Sequence, residues 1–337
     1  MADKPNKHWV TASDVALRAG VSRSAVSRAF SPTASIAPET RERVMRAARA
    51  LGYQVNLIAR DMITQRSSMV GVVTAGFENP FRAKLLADIL TALGRYALTP
   101  LVMNAEDPRQ IKHSLEMLLS YRIAGIVMTS ASPPLRLARQ YLDHQIPVAM
   151  INRASNLPGA DVVVSDNAAG AAHAARLLTR AGARRLAFVG PVETSYSALA
   201  RHAEFARLAP EGGLPPVALL DTPADTYASG VAAAHRLAAL DPRPDGVFCS
   251  SDLLALGLID TARHHYGLSV PGDLCVIGFD DIPAAGYDTY QLSTIQQDTH
   301  GLANQAVDML ADRIDAYSGD SRTRVVPVTS VVRKTCG

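Results

Sequence analysis

Arg23 and Arg28 bracket Ser24 and Ser27 in the run V-S-R-S-A-V-S-R-A-F. At 3.6 residues per turn these four side chains share the outward side of a helix's first two turns, while Val26 and Ala29 or Phe30 turn inward. Guanidinium groups donate in bidentate fashion to guanine, and serine hydroxyls suit phosphates or less selective base contacts. This is the chemistry of a helix set into a DNA major groove. The alternative is a solvated basic face on a small helical bundle.

A second set of polar and aromatic residues follows apolar runs further along. It comprises Phe77 to Phe81, Asn104, Thr129-Ser130, Asn152-Arg153, Ser195 to Ser197, Ser250 to Asp252 and Asp280-Asp281. If the runs are parallel strands, these positions lie beyond their carboxyl ends, where open α/β sheets bind ligands. Asn, Arg, Ser and Asp beside an aromatic wall suit a hydroxyl-rich or otherwise polar small molecule.

The elements that must position these residues are legible in outline. A first short helix containing Val15 and Ala16 turns at Ala19-Gly20-Val21, Gly20 supplying the positive φ and Ser22 capping the second helix. A third helix runs from Pro38 through Val44, Ala47 and Ala48 to a stop at Gly52. Beyond Ser67, apolar runs such as Met69 to Ala75, Gly125 to Thr129 and Cys275 to Phe279 alternate with amphipathic stretches such as Ala83 to Tyr96 and Leu253 to Tyr266. That βαβ rhythm predicts parallel sheets covered by helices, with too many strands for one small sheet and hence two lobes.

Charge divides the chain in the same place. Residues 1–66 carry eleven Lys+Arg against five Asp+Glu, and the remainder 23 against 26, within a net charge of +3. A basic head on a mildly acidic body is what a module seated on phosphates needs.

The sequence resembles the LacI/GalR family of bacterial repressors over almost its whole length. The headpiece matches are V-S-x-x-x-V-S-R at Val21 to Arg28, T-R-E-R-V at Thr40 to Val44 and L-G-Y-x-x-N at Leu51 to Asn56. In the body they are E-N-P-F at Glu78 to Phe81, S-D-N-A-A-G at Ser165 to Gly170, V-F-C-S-S-D-L-L-A-L-G at Val247 to Gly257 and V-P-G-D-L-C-V-I-G-F-D-D at Val270 to Asp281. The resemblance implies a three-helix headpiece with a helix-turn-helix at 9–55, a hinge at 56–67 and a two-lobed α/β core at 68–337, like periplasmic binding proteins. The first lobe is expected at about 68–165 and 298–323, and the second at about 166–297 and 324–337.

The same resemblance assigns roles. Arg23 and Ser24 become the variable base-reading pair and Arg28 a more general base contact, with Ser22 and Ser27 beside them. The segment Asn56 to Gln65 becomes a hinge helix in which Met62 takes the place of a Leu that wedges between base steps, and Ala59 is small enough for two such helices to pack closely. An ordinary linker is the alternative. Phe81, Asn152, Ser197, Arg201, Asp252 and Asp280 become effector-contacting or cleft-shaping residues, with Ser251 beside them and Tyr227 as a stacking wall. Phe81 has a second reading as core, Arg201 as a surface helix residue and Asp252 as a cap of the helix from Leu253.

Several positions depart from the family pattern. Ala25 stands where a phosphate-touching Thr is usual, Ala37 where a Ser caps the third helix, and Val55 where a Pro precedes Asn56. Ser251 replaces an Asn, Glu204 a Gly and Asp298 a Pro, and the stretch from Leu208 to Thr222 is short. The changes leave the architecture as expected and the effector open.

The expected function is that of a repressor of catabolic or transport genes. It binds a near-palindromic operator as a homodimer, under allosteric control by a small polar effector, sugar or sugar-like. A dimer is expected rather than a tetramer because nothing leucine-rich follows Arg333. No cofactor or metal is expected: Cys249, Cys275 and Cys336 fit no C-x-x-C pattern, and His264-His265 diverge on a helix. An enzyme is disfavoured by the lack of G-x-G-x-x-G, Walker A, G-x-S-x-G and H-E-x-x-H motifs. A solute-binding transport protein would share the core, but it needs neither the basic head nor the polar N-terminus. No apolar run of about 18 residues occurs, so no membrane partner is expected, and the location is expected to be cytoplasmic.

Overall fold

The structure is a computed structural model, and it describes residues 9–31, 34–55, 67–129, 135–153, 157–317 and 319–337. The chain divides into two compact units, Met1–Ser67 and Ser68–Gly337.

In the first unit, α1 spans Ala12–Ala19, α2 Arg23–Phe30 and α3 Pro38–Leu51. Thr11 and Asp14 close a capping box on α1, and Gly20 ends it at φ 61°. Ser22 caps α2 by accepting from the Ala25 N–H at 3.2 Å. At Ala37 no side chain caps α3, so Pro38 at the first helical position does the starting. Val15, Val26 and Val44, one from each helix, meet in a core filled out by alanines. Arg41 on α3 reaches back to donate to the carbonyls of Ala29 (2.6 Å), Ser31 (3.3 Å) and Ala34 (3.2 Å), satisfying the carboxyl end of α2 and the turn after it.

The second unit holds two six-stranded sheets. The first collects β1 (Met69–Thr74), β2 (Thr99–Asn104), β3 (Gly125–Met128), β4 (Val148–Ile151), β5 (Asp161–Ser165) and β11 (Thr323–Val326) in the order β11-β5-β4-β3-β1-β2. The second collects β6 (Leu186–Gly190), β7 (Ala218–Asp221), β8 (Gly246–Cys249), β9 (Cys275–Asp280), β10 (Ser293–Gln297) and β12 (Val328–Val331) in the order β12-β10-β9-β8-β6-β7. Central strands such as G-I-V-M and C-V-I-G-F-D are buried along their full length, as strands covered on both faces by helices must be. One departure from the parallel expectation is β12, which pairs antiparallel with β10 at the sheet edge.

The covering helices are α4 (Pro80–Arg95), α5 (Pro108–Ser120), α6 (Leu135–Asp143) and α11 (Thr299–Asp315) on the first sheet. On the second they are α7 (Asn167–Arg180), α8 (Tyr196–Glu211), α9 (Tyr227–Ala238) and α10 (Asp252–His264). Helices α9 and α10 approach at glycines: a Cβ on Gly257 would lie 2.1 Å from the Tyr227 carbonyl oxygen. The three cysteines are free and buried.

The chain crosses between lobes after Ser165, after Gln297 and after Val326. The last differs from the expected 323–324 boundary, because Thr323–Val326 pairs in parallel register with β5 of the first lobe. Its pairing also brings Arg322 onto Asp161, which Arg313 meets from α11. Asp161 is 1% exposed, and Arg313 and Arg322 each stand 2.7 Å from it. Burial alone would raise the Asp161 carboxyl, but the hydrogen bonds from Arg313 and Arg322 outweigh it and hold the group below its ordinary value.

Candidate functional site

On α2, Ser22, Arg23, Ser24, Ser27 and Arg28 are all exposed, whereas Ala25, Val26 and Ala29 are buried. The helix therefore presents one continuous face of two guanidiniums and three hydroxyls. The Ser22 and Ser24 hydroxyls are 2.8 Å apart, so the capping residue also orients its neighbour. Ala25, noted as a missing phosphate contact, lies on the packed side with 8% exposure. The hinge residues Asn56, Ala59 and Met62 lie outside the described residues, as does Ser130.

Between the lobes lies a cavity of about 220 Å³. Phe81 and Asn152 line it from the first lobe, and Ser197, Arg201, Ser251 and Asp280 from the second. Phe81 also belongs to the core at its back, so it is at once a cavity-lining and a core residue. Ser251 caps α10, and Ser197 donates to the Asn152 carbonyl at 3.4 Å across the lobes.

Arg201 is a buried side chain rather than a surface one, with 5% exposure. Its Nε donates to Asn167 Oδ1 at 2.9 Å and its Nη1 to the Ser250 carbonyl at 2.6 Å, and the guanidinium lies 3.4 Å over the Phe279 ring. Burial lowers it to about 10, against the opposing pull of Asp280, Asp225 and Asp252. Asp280 is pushed well above the ordinary carboxylate range by burial and by Asp252, against Arg201 and a hydrogen bond from Gln297. Asn152, Asp280 and Asp281 hold left-handed φ values of 52°, 125° and 58°. Non-glycine residues in such conformations concentrate at functional sites, where the surroundings must hold them.

Two expected contacts are corrected. Tyr227 is half-exposed and its hydroxyl donates to Asp260 at 2.6 Å, in a shallow basin with His235 and Tyr290 apart from the cleft. Its place at the first turn of α9 sets it against α10, where Asp260 takes its hydroxyl. Asp252 does not line the cavity and is not the α10 cap. It is fully buried, accepting from the Ile282 N–H at 2.9 Å and the Thr294 hydroxyl at 2.6 Å, which ties α10 to the segment after β9 and to β10.

Several cleft residues escaped the sequence reading, Gln297, Asp225 and Arg82 among them. Gln297 accepts from Asn152 at 2.9 Å and Ser165 at 2.5 Å and donates to Asp280 at 2.6 Å. Its position just before the expected crossing at Asp298 was the available signal. Asp225 follows β7, whose carboxyl end the strand-end rule would have reached, and Arg82 is the neighbour of Phe81 on α4. Among the described residues no group of three or more His, Cys, Asp and Glu side chains is placed to hold a metal ion.

Comparisons with known proteins agree with this fold. Residues 11–56 match the model of bacterial regulatory proteins of the lacI family, and residues 175–336 that of a periplasmic binding protein-like domain. The HTH-type transcriptional repressor PurR of Erwinia tasmaniensis is 31% identical over 329 residues, covering 96% of each chain. The chain belongs to the LacI family. Another relative of this LacI-family chain, catabolite control protein A of Priestia megaterium, is 28% identical over 94% of this chain and 96% of that one. The lac repressor dimer bound to operator and the anti-inducer ONPF shares the fold at a TM-score of 0.86 and 24% identity, over 97% of this chain and 99% of that one. A transcriptional regulator CelR–cellobiose complex aligns with a TM-score of 0.73 at 26% identity over 97% and 99%. The LacI-family chain is thus a DNA-binding transcriptional repressor with a ligand-binding core, and not an enzyme. Among the described residues no helix is long and apolar enough to cross a membrane.

Proposed function

We propose that this repressor works in the cytoplasm as a homodimer on a near-palindromic operator of catabolic or transport genes, with a small polar effector, sugar or sugar-like, bound between the core lobes. The observation that carries the reading is the exposed Arg23, Ser24, Ser27 and Arg28 face of a capped α2 on the same chain as a polar interlobe cleft. Two-fold symmetry turns one such face into two half-site contacts. Arg23 and Ser24 read bases, Arg28 adds a more general base contact, and Ser22 and Ser27 reach phosphates. Asn56, Ala59 and Met62 act at the operator centre.

In the cleft, Phe81, Asn152, Ser197, Arg201, Ser251 and Asp280 surround the effector. The effector favours one lobe arrangement and so changes operator affinity, a coupling between two sites. The dimeric state and the operator of the lac repressor complex, and the cellobiose held by CelR, support the reading by likeness.

The test is selection of bound sequences from random duplex DNA, followed by gel shifts with wild type and Arg23→Ala/Arg28→Ala protein. A palindromic consensus is expected, with a loss of roughly 1–3 kcal/mol for each guanine contact removed. A double variant that binds the selected duplex like wild type overturns the assignment of α2.

A further inference from the structure

Four ionisable side chains face the cleft, and their bonding is unequal. Arg82, half-buried on α4 of the first lobe, lines the cavity and makes no hydrogen bond or ion pair among the described residues. Gly76 leaves it room, since a Cβ there would stand 2.2 Å from Arg82 Nη1. From the second lobe Arg201, which lines the cavity, spends Nε and Nη1 on Asn167 and Ser250, and its Nη2 makes no hydrogen bond among the described residues. Asp225 accepts from the Ser250 hydroxyl at 2.7 Å through one oxygen, and the other is uncommitted.

The surroundings add positive potential. The amino ends of α4, α8 and α10 all reach the cavity, through Asn79, Ser195 and Ser251, and helix amino ends favour anions. Phe81 is the one aromatic ring among the described lining residues, so there is no pair of flat faces to sandwich an apolar ring surface.

We infer that the cleft takes an anionic, hydroxyl-bearing ligand of monosaccharide size, whose carboxylate or phosphate is held by Arg82 and Arg201 from opposite lobes while Asp225 accepts from a hydroxyl. The inference rests on the effector reading above and deepens it. Arg82 is then a specificity residue that engages the anion only when the lobes share it.

Calorimetric titration of the full-length protein with hexuronates, aldonates and hexose phosphates, each beside its neutral hexose, tests this. At least one acid is expected to bind roughly tenfold or more tightly than its neutral parent, as a charge-assisted contact warrants, and which acid class binds tells carboxylate from phosphate. Arg82→Gln removes that advantage, and Arg82→Lys retains part of it. A neutral hexose binding as tightly as its acid, an unchanged Arg82→Gln variant, or no binding by any acid overturns the inference. Operator gel shifts with the same compounds separate the two readings. An acid bound through Arg82 that leaves operator affinity unchanged sinks the regulatory reading alone, and a neutral sugar that alone shifts operator affinity sinks the anion.

Discussion

The side-chain amide of Asn152 donates to Oε1 of Gln297 at 2.9 Å, joining the end of β4 in the first lobe to the end of β10 in the second. Asn152 Oδ1 in turn accepts from the Ser165 N–H at 2.9 Å, and the Asp166 N–H donates to the Val326 carbonyl at 2.9 Å. All three crossings between lobes are therefore stitched together, and through its 2.6 Å bond to Asp280 Gln297 connects the stitching to the cleft.

Gln297→Ala leaves buried polar groups of Asn152 and Ser165 without their shared acceptor. A loss of about 1–3 kcal/mol in stability is expected, read by urea denaturation. Effector-linked change in operator affinity should shrink in the same variant, because the cleft loses its connection to the crossings between the lobes. A variant with full coupling and wild-type stability would show the network to be incidental.

Asp161→Ala strips Arg313, 2% exposed, of its buried carboxylate. Removing one partner of a buried ion pair costs about 3–5 kcal/mol, far more than an exposed pair such as Lys112–Glu116 contributes. Chemical denaturation of the two single variants, Asp161→Ala and Glu116→Ala, should separate them by at least a factor of three.

Burial pushes Asp252 up to about 6, against hydrogen bonds from Thr294 and Ile282 that lower it. Between the ordinary carboxylate value and that figure the folded state holds more protons on this group than the unfolded chain, so stability falls as pH rises from about 4 to about 6. Asp252→Asn abolishes this contribution. The difference in stability between variant and wild type should move in the variant's favour by roughly 1–3 kcal/mol across that window and stay level above it. A constant difference from pH 4 to 7 would contradict the assignment.

Arg41→Ala removes donors to three backbone carbonyls at the end of α2, so a loss of about 1–2 kcal/mol in headpiece stability is expected. Operator affinity should fall with it and recover at low temperature, where the headpiece is folded. Arg28→Ala should weaken operator binding at every temperature without unfolding α2.

Gly257→Ala would drive a methyl into the Tyr227 carbonyl, where backbone rather than a mobile side chain blocks relief. A loss of about 1–3 kcal/mol or more is expected from thermal unfolding, whereas the exposed Gly94→Ala on α4, with open space around it, should be neutral or stabilising.

By itself the sequence determined the local structure of the headpiece, the alternating core and the family. A Gly at a left-handed turn, a Ser able to cap and apolar residues at helical spacing act within a few neighbours, so Gly20, Ser22 and Val26 could be placed without knowing anything distant. The apolar runs sufficed for parallel sheets in two lobes for the same reason. Tertiary structure decided which polar residues converge. Asp252 and Asp280 end similar apolar runs, yet one is turned into the packing between α10 and β10 and the other into the cleft, a choice made by partners 42 residues away at Thr294 and 17 away at Gln297. Tyr227 and Asp225 sit two residues apart, and only the path of the chain around α9 sends the tyrosine to the flank and the carboxylate to the ligand side. Contacts between residues remote in sequence carry no local pattern, so the place of Arg82, Asp225 and Gln297 in the cleft, and its charge, emerged only when the lobes were folded against each other.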